Sequence, residues 1–114
     1  MAIEKIYAHL NCSNLDLSIR WFEQLFDRAP DARPMDGLAE WHYGHDTGMQ
    51  LFEDNANAGH GTLTLIVSGL RQEHARLADG ELQPGRVEAS DSISLLRLRD
   101  PDGNLIVLAQ PGRA

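Results

Sequence analysis

Three polar side chains, Tyr7, His9 and Asn11, alternate along a stretch of β-forming residues near the amino terminus, IEKIYAHLNC. Alternation with a period of two places all three on one face of a strand. An imidazole titrates near neutral pH, so His9 can act as a general base, and the Tyr7 hydroxyl can donate to a developing oxyanion. The stretch therefore predicts one strand face that is able to do chemistry.

Further polar side chains are expected on later strands. HYGHDTGMQLFE and LRDPDGNLIVLA read as the same hairpin written twice, and aligning them at Gly48 and Gly103 pairs His42 with Arg97. Arg97 lies between two leucines and is either a clamp for a carboxylate or phosphate or a solvent-facing strand residue. The direction of His42 also stays open, because a shift of one residue turns Trp41 inward instead.

The elements that must position these residues occur twice along the chain. The first half contains a strand, a helix from about Leu15 to Phe26 with Asn14 as its N-cap, and a hairpin. GTLTLIVSG, the helical LRQEHARLADG and the second hairpin follow in the same order. We therefore predict one α+β domain of two βαβββ modules, which span about residues 1–59 and 60–114.

The segment RDPDGNLIVLAQP combines a tight turn with a short apolar strand. Pro101 and Gly103 favour the turn, and the run from Leu105 to Ala109 carries no charge. Val107, at the centre of that run, is neither an acid, a base nor a metal ligand. We interpret this strand as a packing wall.

Composition narrows the range of partners. Ten basic and 17 acidic side chains give a net charge of −7, which argues against binding to a nucleic-acid backbone. No apolar run approaches the roughly 18 residues of a membrane span. Cys12 is the one cysteine and cannot form an internal disulfide, which favours a reducing, cytoplasmic location.

Three stretches carry a family resemblance: HLNCSNLDLSIRWFEQLF, MQLFED and RDPDGNLIVL. Together, in this order and spacing, they resemble the vicinal oxygen chelate superfamily, which includes glyoxalase I, bleomycin-resistance proteins, fosfomycin-resistance enzymes and extradiol dioxygenases. The resemblance implies two βαβββ modules whose strands form an open, roughly eight-stranded cup with the helices outside. It also implies a ligand in the cup and a homodimer that covers open strand edges. Asp27 departs from the pattern, which has glycine after the first helix.

The superfamily's metalloenzymes hold a divalent ion with His and Glu at four inward strand positions. Carried over one by one, these positions fall on Tyr7, Gln50, Thr62 and Val107, none of which is His or Glu. A catalytic divalent cation needs about three converging anionic or imidazole donors, and valine offers none. The resemblance therefore predicts no metal cofactor at the standard site.

A displaced metal site stays open as an alternative. His9 and His42, helped by Gln50 or Glu40, could hold Zn, Ni, Mn or Fe if both imidazoles point into the cup. A pocket histidine held by hydrogen bonds is the simpler interpretation of each residue.

The sequence favours a binding protein over an enzyme. The candidate ligand-binding residues combine aromatic surface with hydrogen-bonding groups, as a small organic ligand requires; they are Tyr7, His9, Asn11, His42, Gln50, Phe52, Thr62, Thr64, Arg97 and Val107. The leading hypothesis is sequestration of a ligand without metal chemistry, as the bleomycin-resistance branch implies. The alternatives are a glyoxalase-like lyase or isomerase, or a dioxygenase, that uses a displaced metal or a His9 base, and a regulator with a vestigial cup.

Overall fold

Each half of the chain folds as a strand, a helix and a hairpin. A computed structural model describes residues 1–114 and gives the order β1 (Ile6–Cys12), α1 (Leu15–Phe26), β2 (Leu38–Tyr43), β3 (Thr47–Glu53), β4 (Thr62–Ile66), α2 (Leu70–Asp79), β5 (Ile93–Arg99) and β6 (Leu105–Pro111). A short 3-10 turn, Asn55–Asn57, separates the halves. The predicted α+β class and the repeated order of elements are confirmed.

The strands form two sheets of the same design. The first has the order β1-β3-β2 and the second the order β4-β6-β5, each with one parallel and one antiparallel pair. The remaining strand of each βαβββ module is reduced to one bridged residue pair, Ala32 with Glu40 and Glu88 with Leu95. Six strands and two bridges thus take the place of the eight strands expected.

The first helix begins and ends where its residues dictate. The Asn14 side chain accepts a hydrogen bond from Leu17 N at 3.1 Å, which confirms the predicted N-cap. Asp27 ends the helix in the left-handed conformation, with φ 56°, which glycine adopts at lower cost. Neither helix is long and apolar enough to cross a membrane.

The helices cover one side of the sheets and leave the other side open. Trp41 is fully buried on the covered side, where its ring centroid lies 6.1 Å from that of Phe22 and 5.3 Å from that of Phe26. His42, its neighbour, consequently points to the other side, which we call the open face. Cys12 also faces the helices, and burial raises the pKa of its thiol to about 11, so the thiol is protonated at neutral pH.

The two sheets are joined at one end of their edge strands, β1 and β4. Asn104 is fully buried there, and its Nδ2 donates to the Asn11 carbonyl at 3.0 Å. Its Oδ1 accepts from Gly61 N at 2.8 Å. The Ser13 backbone and hydroxyl both donate to the Asp102 carboxylate. The turn before β6 therefore fixes the second module against the first.

Candidate functional site

The open face of the first sheet gathers the candidate residues of the first half of the chain. Strand register aligns them in three rows across β1, β3 and β2. The rows are Tyr7, Gly48 and His42; His9, Gln50 and Glu40; and Asn11, Phe52 and Leu38. The sequence alternation thus correctly places Tyr7, His9 and Asn11 on one face.

The open face of the second sheet carries the candidates of the second half. Thr64, Val107 and Arg97 form one row, and Thr62 lies in the next row beside Leu105. Arg97 is half-exposed and forms an ion pair with Glu88. The guanidinium thus already has a carboxylate partner, as a solvent-facing strand residue commonly does.

A continuous chain of hydrogen bonds crosses the first sheet. His9 Nε2 lies 2.9 Å from Asn11 Oδ1, and His9 Nδ1 lies 3.1 Å from Gln50 Oε1. Gln50 Nε2 donates to Glu40 Oε2 at 2.8 Å, and His42 Nε2 lies 3.0 Å from Glu40 Oε1. Five side chains on three strands therefore act as one hydrogen-bonded group.

Glu40 is the buried anchor of this chain, with a side chain that is 10% exposed. Burial alone would raise the pKa of this carboxyl, but hydrogen bonds from His42 and Gln50 outweigh it, and the pKa lies below its usual range. Glu40 is therefore ionised at neutral pH and can only accept hydrogen bonds.

The backbone of His42 is held from the outer edge of β2. The Asp31 carboxylate accepts from His42 N at 2.7 Å, and the Arg28 guanidinium donates to the His42 carbonyl. Arg28 and Asp31 also pair with each other at 3.2 Å. These contacts occupy the free edge of the strand and fix the place of His42 on the open face.

Two residues of this site were not among the sequence-derived ligand-binding candidates. Glu40 entered only as a helper of a displaced metal, although its spacing of two from His42 in LAEWHYG puts both on one face. The sequence pattern predicts Gly48 as a turn residue, yet it lies within β3 next to the Tyr7 ring. A side chain at this position would meet Tyr7 Cε1 at 2.6 Å and the Trp41 carbonyl at 2.8 Å.

Gly48→Ala is therefore expected to lower the free energy of unfolding by about 1–3 kcal/mol, the usual cost of overpacking. The new methyl group would also displace the Tyr7 ring, whose centroid lies 6.2 Å from that of His42. Urea unfolding monitored by circular dichroism measures the loss. Gly85→Ala is the matched control, since a methyl group there meets nothing within 4 Å. Equal stability of the two variants would contradict the contact between Tyr7 and Gly48.

The metal positions of the superfamily have unsuitable donors in this fold. Glu40 and Leu95 each form the single-residue bridge of their own half, so they occupy equivalent positions in the two halves. Counting along the strands from these positions, the row of Tyr7, Gly48 and His42 corresponds to the row of Thr64, Val107 and Arg97. Internal symmetry thus pairs Gly48, rather than Gln50, with Val107, and Thr64, rather than Thr62, with Tyr7. Neither glycine nor valine has a donor side chain, so these residues do not fit a divalent cation.

A displaced metal site meets a similar difficulty. His9 and His42 lie in neighbouring rows and are linked through Gln50 and Glu40 instead of facing a common point. No three His, Cys, Asp or Glu side chains are grouped so that they could hold a metal ion. Both ring nitrogens of His9 and Nε2 of His42 are instead used in hydrogen bonds within this chain of side chains.

A large cavity lies elsewhere, between the edge strands β1 and β4, which do not pair with each other. It has a volume of about 1030 Å³ and is bounded by Ile6, Ala8 and Ile66 on the strands and by Leu25 and Phe26 on α1. We call it the edge groove. Of the candidate ligand-binding residues, Thr64 alone lines it.

Comparison with known proteins identifies the fold. No protein-family model and no curated protein matches the sequence. A glyoxalase/bleomycin resistance protein from Catenulispora acidiphila is 20% identical over 94% of this chain and 97% of its own, with a TM-score of 0.86. An antibiotic-binding protein from a Streptomyces species is 21% identical over 98% and 99%, with a TM-score of 0.81. A bleomycin-binding protein in complex with bleomycin is 18% identical over 94% and 98%, with a TM-score of 0.75. The chain therefore has the fold of the vicinal oxygen chelate superfamily.

Proposed function

We propose that the protein binds a small organic ligand on the open face of its first sheet and sequesters it without a divalent metal ion. The hydrogen-bonded row of His9, Gln50 and Glu40 carries the proposal. Tyr7 and Phe52 add aromatic surface on either side of this row. Aromatic surface with a few convergent polar groups is typical of small-molecule sites.

Two of the similar structures support this class of function. One is a bleomycin-binding protein in complex with bleomycin and another is an antibiotic-binding protein. At under 25% identity they share the fold with this chain, and the ligand class is our inference from that fold and from the residues of the open face. An antibiotic-like organic molecule is the ligand class we propose, with resistance by sequestration as the outcome.

We further propose that the chain works as a homodimer in the cytoplasm. β1 and β4 are edge strands, and Ile6 on β1 and Ile66 on β4 are 67% and 68% exposed. Unpaired edges with exposed apolar side chains favour a second subunit that covers them. The single, buried Cys12 thiol is consistent with a reducing compartment.

A glyoxalase-like lyase or isomerase that uses His9 as its base is the second candidate. One observation favours it: His9 is exposed on the open face, and its ring is oriented by Gln50, which is itself held by Glu40. An oriented imidazole is suited to general base catalysis. Binding without turnover remains the leading proposal.

A thermal-shift screen of antibiotics and small aromatic compounds tests the leading proposal. A ligand present at about 100 times its Kd should stabilise the fold by about 2.7 kcal/mol. His9→Ala should abolish the shift, while Ile6→Ser, which alters the edge groove, should leave it intact.

Two results would contradict the proposal. A shift that survives His9→Ala but is lost in Ile6→Ser would place the ligand in the edge groove. Stoichiometric Zn, Ni, Mn or Fe in protein purified without a histidine tag would overturn metal-free sequestration.

A further inference from the structure

The polar row of His9, Gln50 and Glu40 has no polar counterpart in the other half of the fold. The corresponding row of the second sheet consists of Ile66, Ala109 and Leu95, all of them apolar. The same backbone geometry is thus compatible with a row that has no polar side chain. Because burying a carboxylate costs desolvation energy, the polar row is not explained by the needs of the fold.

The hydrogen bonds of this row fix the orientation of the Gln50 amide. The ionised Glu40 carboxylate can only accept, so the amide group of Gln50 must present its NH₂ to Glu40 Oε2, at 2.8 Å. The amide oxygen of Gln50 then faces His9 Nδ1, at 3.1 Å. An oxygen can only accept here, so His9 Nδ1 must carry a proton.

The other ring nitrogen of His9 is consequently the one able to accept. His9 Nε2 lies 2.9 Å from Asn11 Oδ1. Because the oxygen and nitrogen of a side-chain amide are nearly isosteric, a half-turn of the Asn11 amide presents its NH₂ to a neutral His9 ring at the same place. Asn11 is partly exposed to solvent, and its side chain forms no other hydrogen bond. A ligand group that donates a hydrogen bond can therefore replace Asn11 at Nε2.

We propose that His9 is a tautomer-locked hydrogen-bond acceptor that recognises the hydroxyl group of an aromatic ligand through Nε2, with Glu40 and Gln50 as its positioning residues. The ligand class rests on the function proposed above. The Phe52 ring lies 6.2 Å from the His9 ring and supplies apolar surface for the aromatic part. A phenolic hydroxyl is a stronger hydrogen-bond donor than water, so it is suited to donate to His9 Nε2, which can only accept.

Nitrogen NMR of the ligand-free protein tests whether Glu40 and Gln50 fix the tautomer of His9. In ¹⁵N-labelled protein at about pH 9, where an ordinary imidazole is neutral, His9 is expected to show a protonated Nδ1 and an unprotonated Nε2. Free histidine in water prefers the opposite tautomer. Glu40→Gln and Gln50→Leu should each shift His9 toward that ordinary form, and the spectra themselves report whether each variant is folded.

Asn11→Ala is the matched control, because it removes the other contact of the ring and should leave Nδ1 protonated. His9→Ala assigns the resonances. Two results would overturn the proposal that Gln50 and Glu40 fix the tautomer of His9. One is a wild-type His9 with its proton on Nε2, and the other is a protonated Nδ1 that persists in folded Gln50→Leu. If His9 has its proton on Nε2 and the protein still binds a ligand, the tautomer proposal fails but the proposed binding function stands.

A pair of probes tests the ligand class. 1-Naphthol carries the hydroxyl, and 1-methoxynaphthalene has the same rings without a donor. Titration calorimetry should show that 1-naphthol binds about fivefold more tightly, as expected of one added hydrogen bond. In His9→Ala the two Kd values should be equal. Equal affinities in the wild type, or binding of neither compound, would overturn the phenolic ligand class even if the tautomer is as expected.

Discussion

Replacement of Asn104 with alanine is expected to lower the free energy of unfolding by about 3 kcal/mol. The fully buried Asn104 amide joins the modules, and its loss leaves Gly61 N and the Asn11 carbonyl, which lie in partly buried residues, without this partner. Each buried polar group left unpaired costs about 1–3 kcal/mol. Urea denaturation at neutral pH measures the difference from the wild type.

Asn57→Ala is the matched control for this change. The Asn57 amide also donates to a carboxylate, that of Asp54, at 2.8 Å, but Asn57 is exposed and Asp54 is only partly buried. This variant should lose less than about 0.5 kcal/mol, as surface substitutions usually do. A loss from Asn104→Ala that is no larger than this would contradict a structural role at the junction.

The effect of Asn104→Ala should also depend on pH. Burial raises the pKa of Asp100, and hydrogen bonds from Asn104 and Asp102 partly oppose the rise. Without Asn104 Nδ2, which lies 2.8 Å from Asp100 Oδ2, this pKa should rise further. A raised folded-state pKa removes stability as pH increases through it, so the variant should lose more relative to the wild type at about pH 7 than at about pH 4.

The fold could be predicted from the sequence because its signals are local. Asn14 caps a helix through its own neighbour, and the spacing of apolar residues repeats in both halves. The turn at Asp100 to Gly103 is equally local. The single-residue bridges at Ala32 and Glu88 carry no such signal, since one pair of residues has no periodicity.

The candidate site could be predicted only in part. Period-two alternation was enough to place Tyr7, His9 and Asn11 on one face. The link from His9 to Glu40 depends on how β1, β3 and β2 are shifted against one another, and strand register is a long-range property. The junction role of Asn104 likewise depends on residues 43 and 93 positions earlier in the chain.

Packing decides which of two neighbouring side chains on β2, Trp41 or His42, faces the helices. Either parity of β2 satisfies the sequence pattern, but α1 supplies Phe22 and Phe26 on one side of the sheet. An indole buries far more apolar surface than an imidazole, so Trp41 takes the helix side. His42 is left on the open face together with Glu40.

Trp41→Ala should therefore be among the most damaging single substitutions, with a loss of about 3–5 kcal/mol in the free energy of unfolding. It would leave a cavity against Phe22 and Phe26 and remove the hydrogen bond from Trp41 Nε1 to the Arg28 carbonyl, at 3.0 Å. Arg28 itself donates to the His42 carbonyl, so the variant should also disturb the open face. Urea unfolding monitored by far-ultraviolet circular dichroism measures the loss, and the His42 ring resonances report the disturbance.

Trp21→Ala provides the matched control, because it deletes the same type of side chain from α1, where Trp21 packs against the same Phe22. The Trp21 ring lies 4.9 Å from that of Phe22 but is only partly buried. Its loss should therefore cost clearly less and leave His42 unchanged, because the transfer and cavity costs both scale with burial. Trp41→Phe should fall between the two, since it keeps the aromatic packing and loses the hydrogen bond. If Trp21→Ala proved as destabilising as Trp41→Ala, the assignment of β2 parity to helix packing would be wrong.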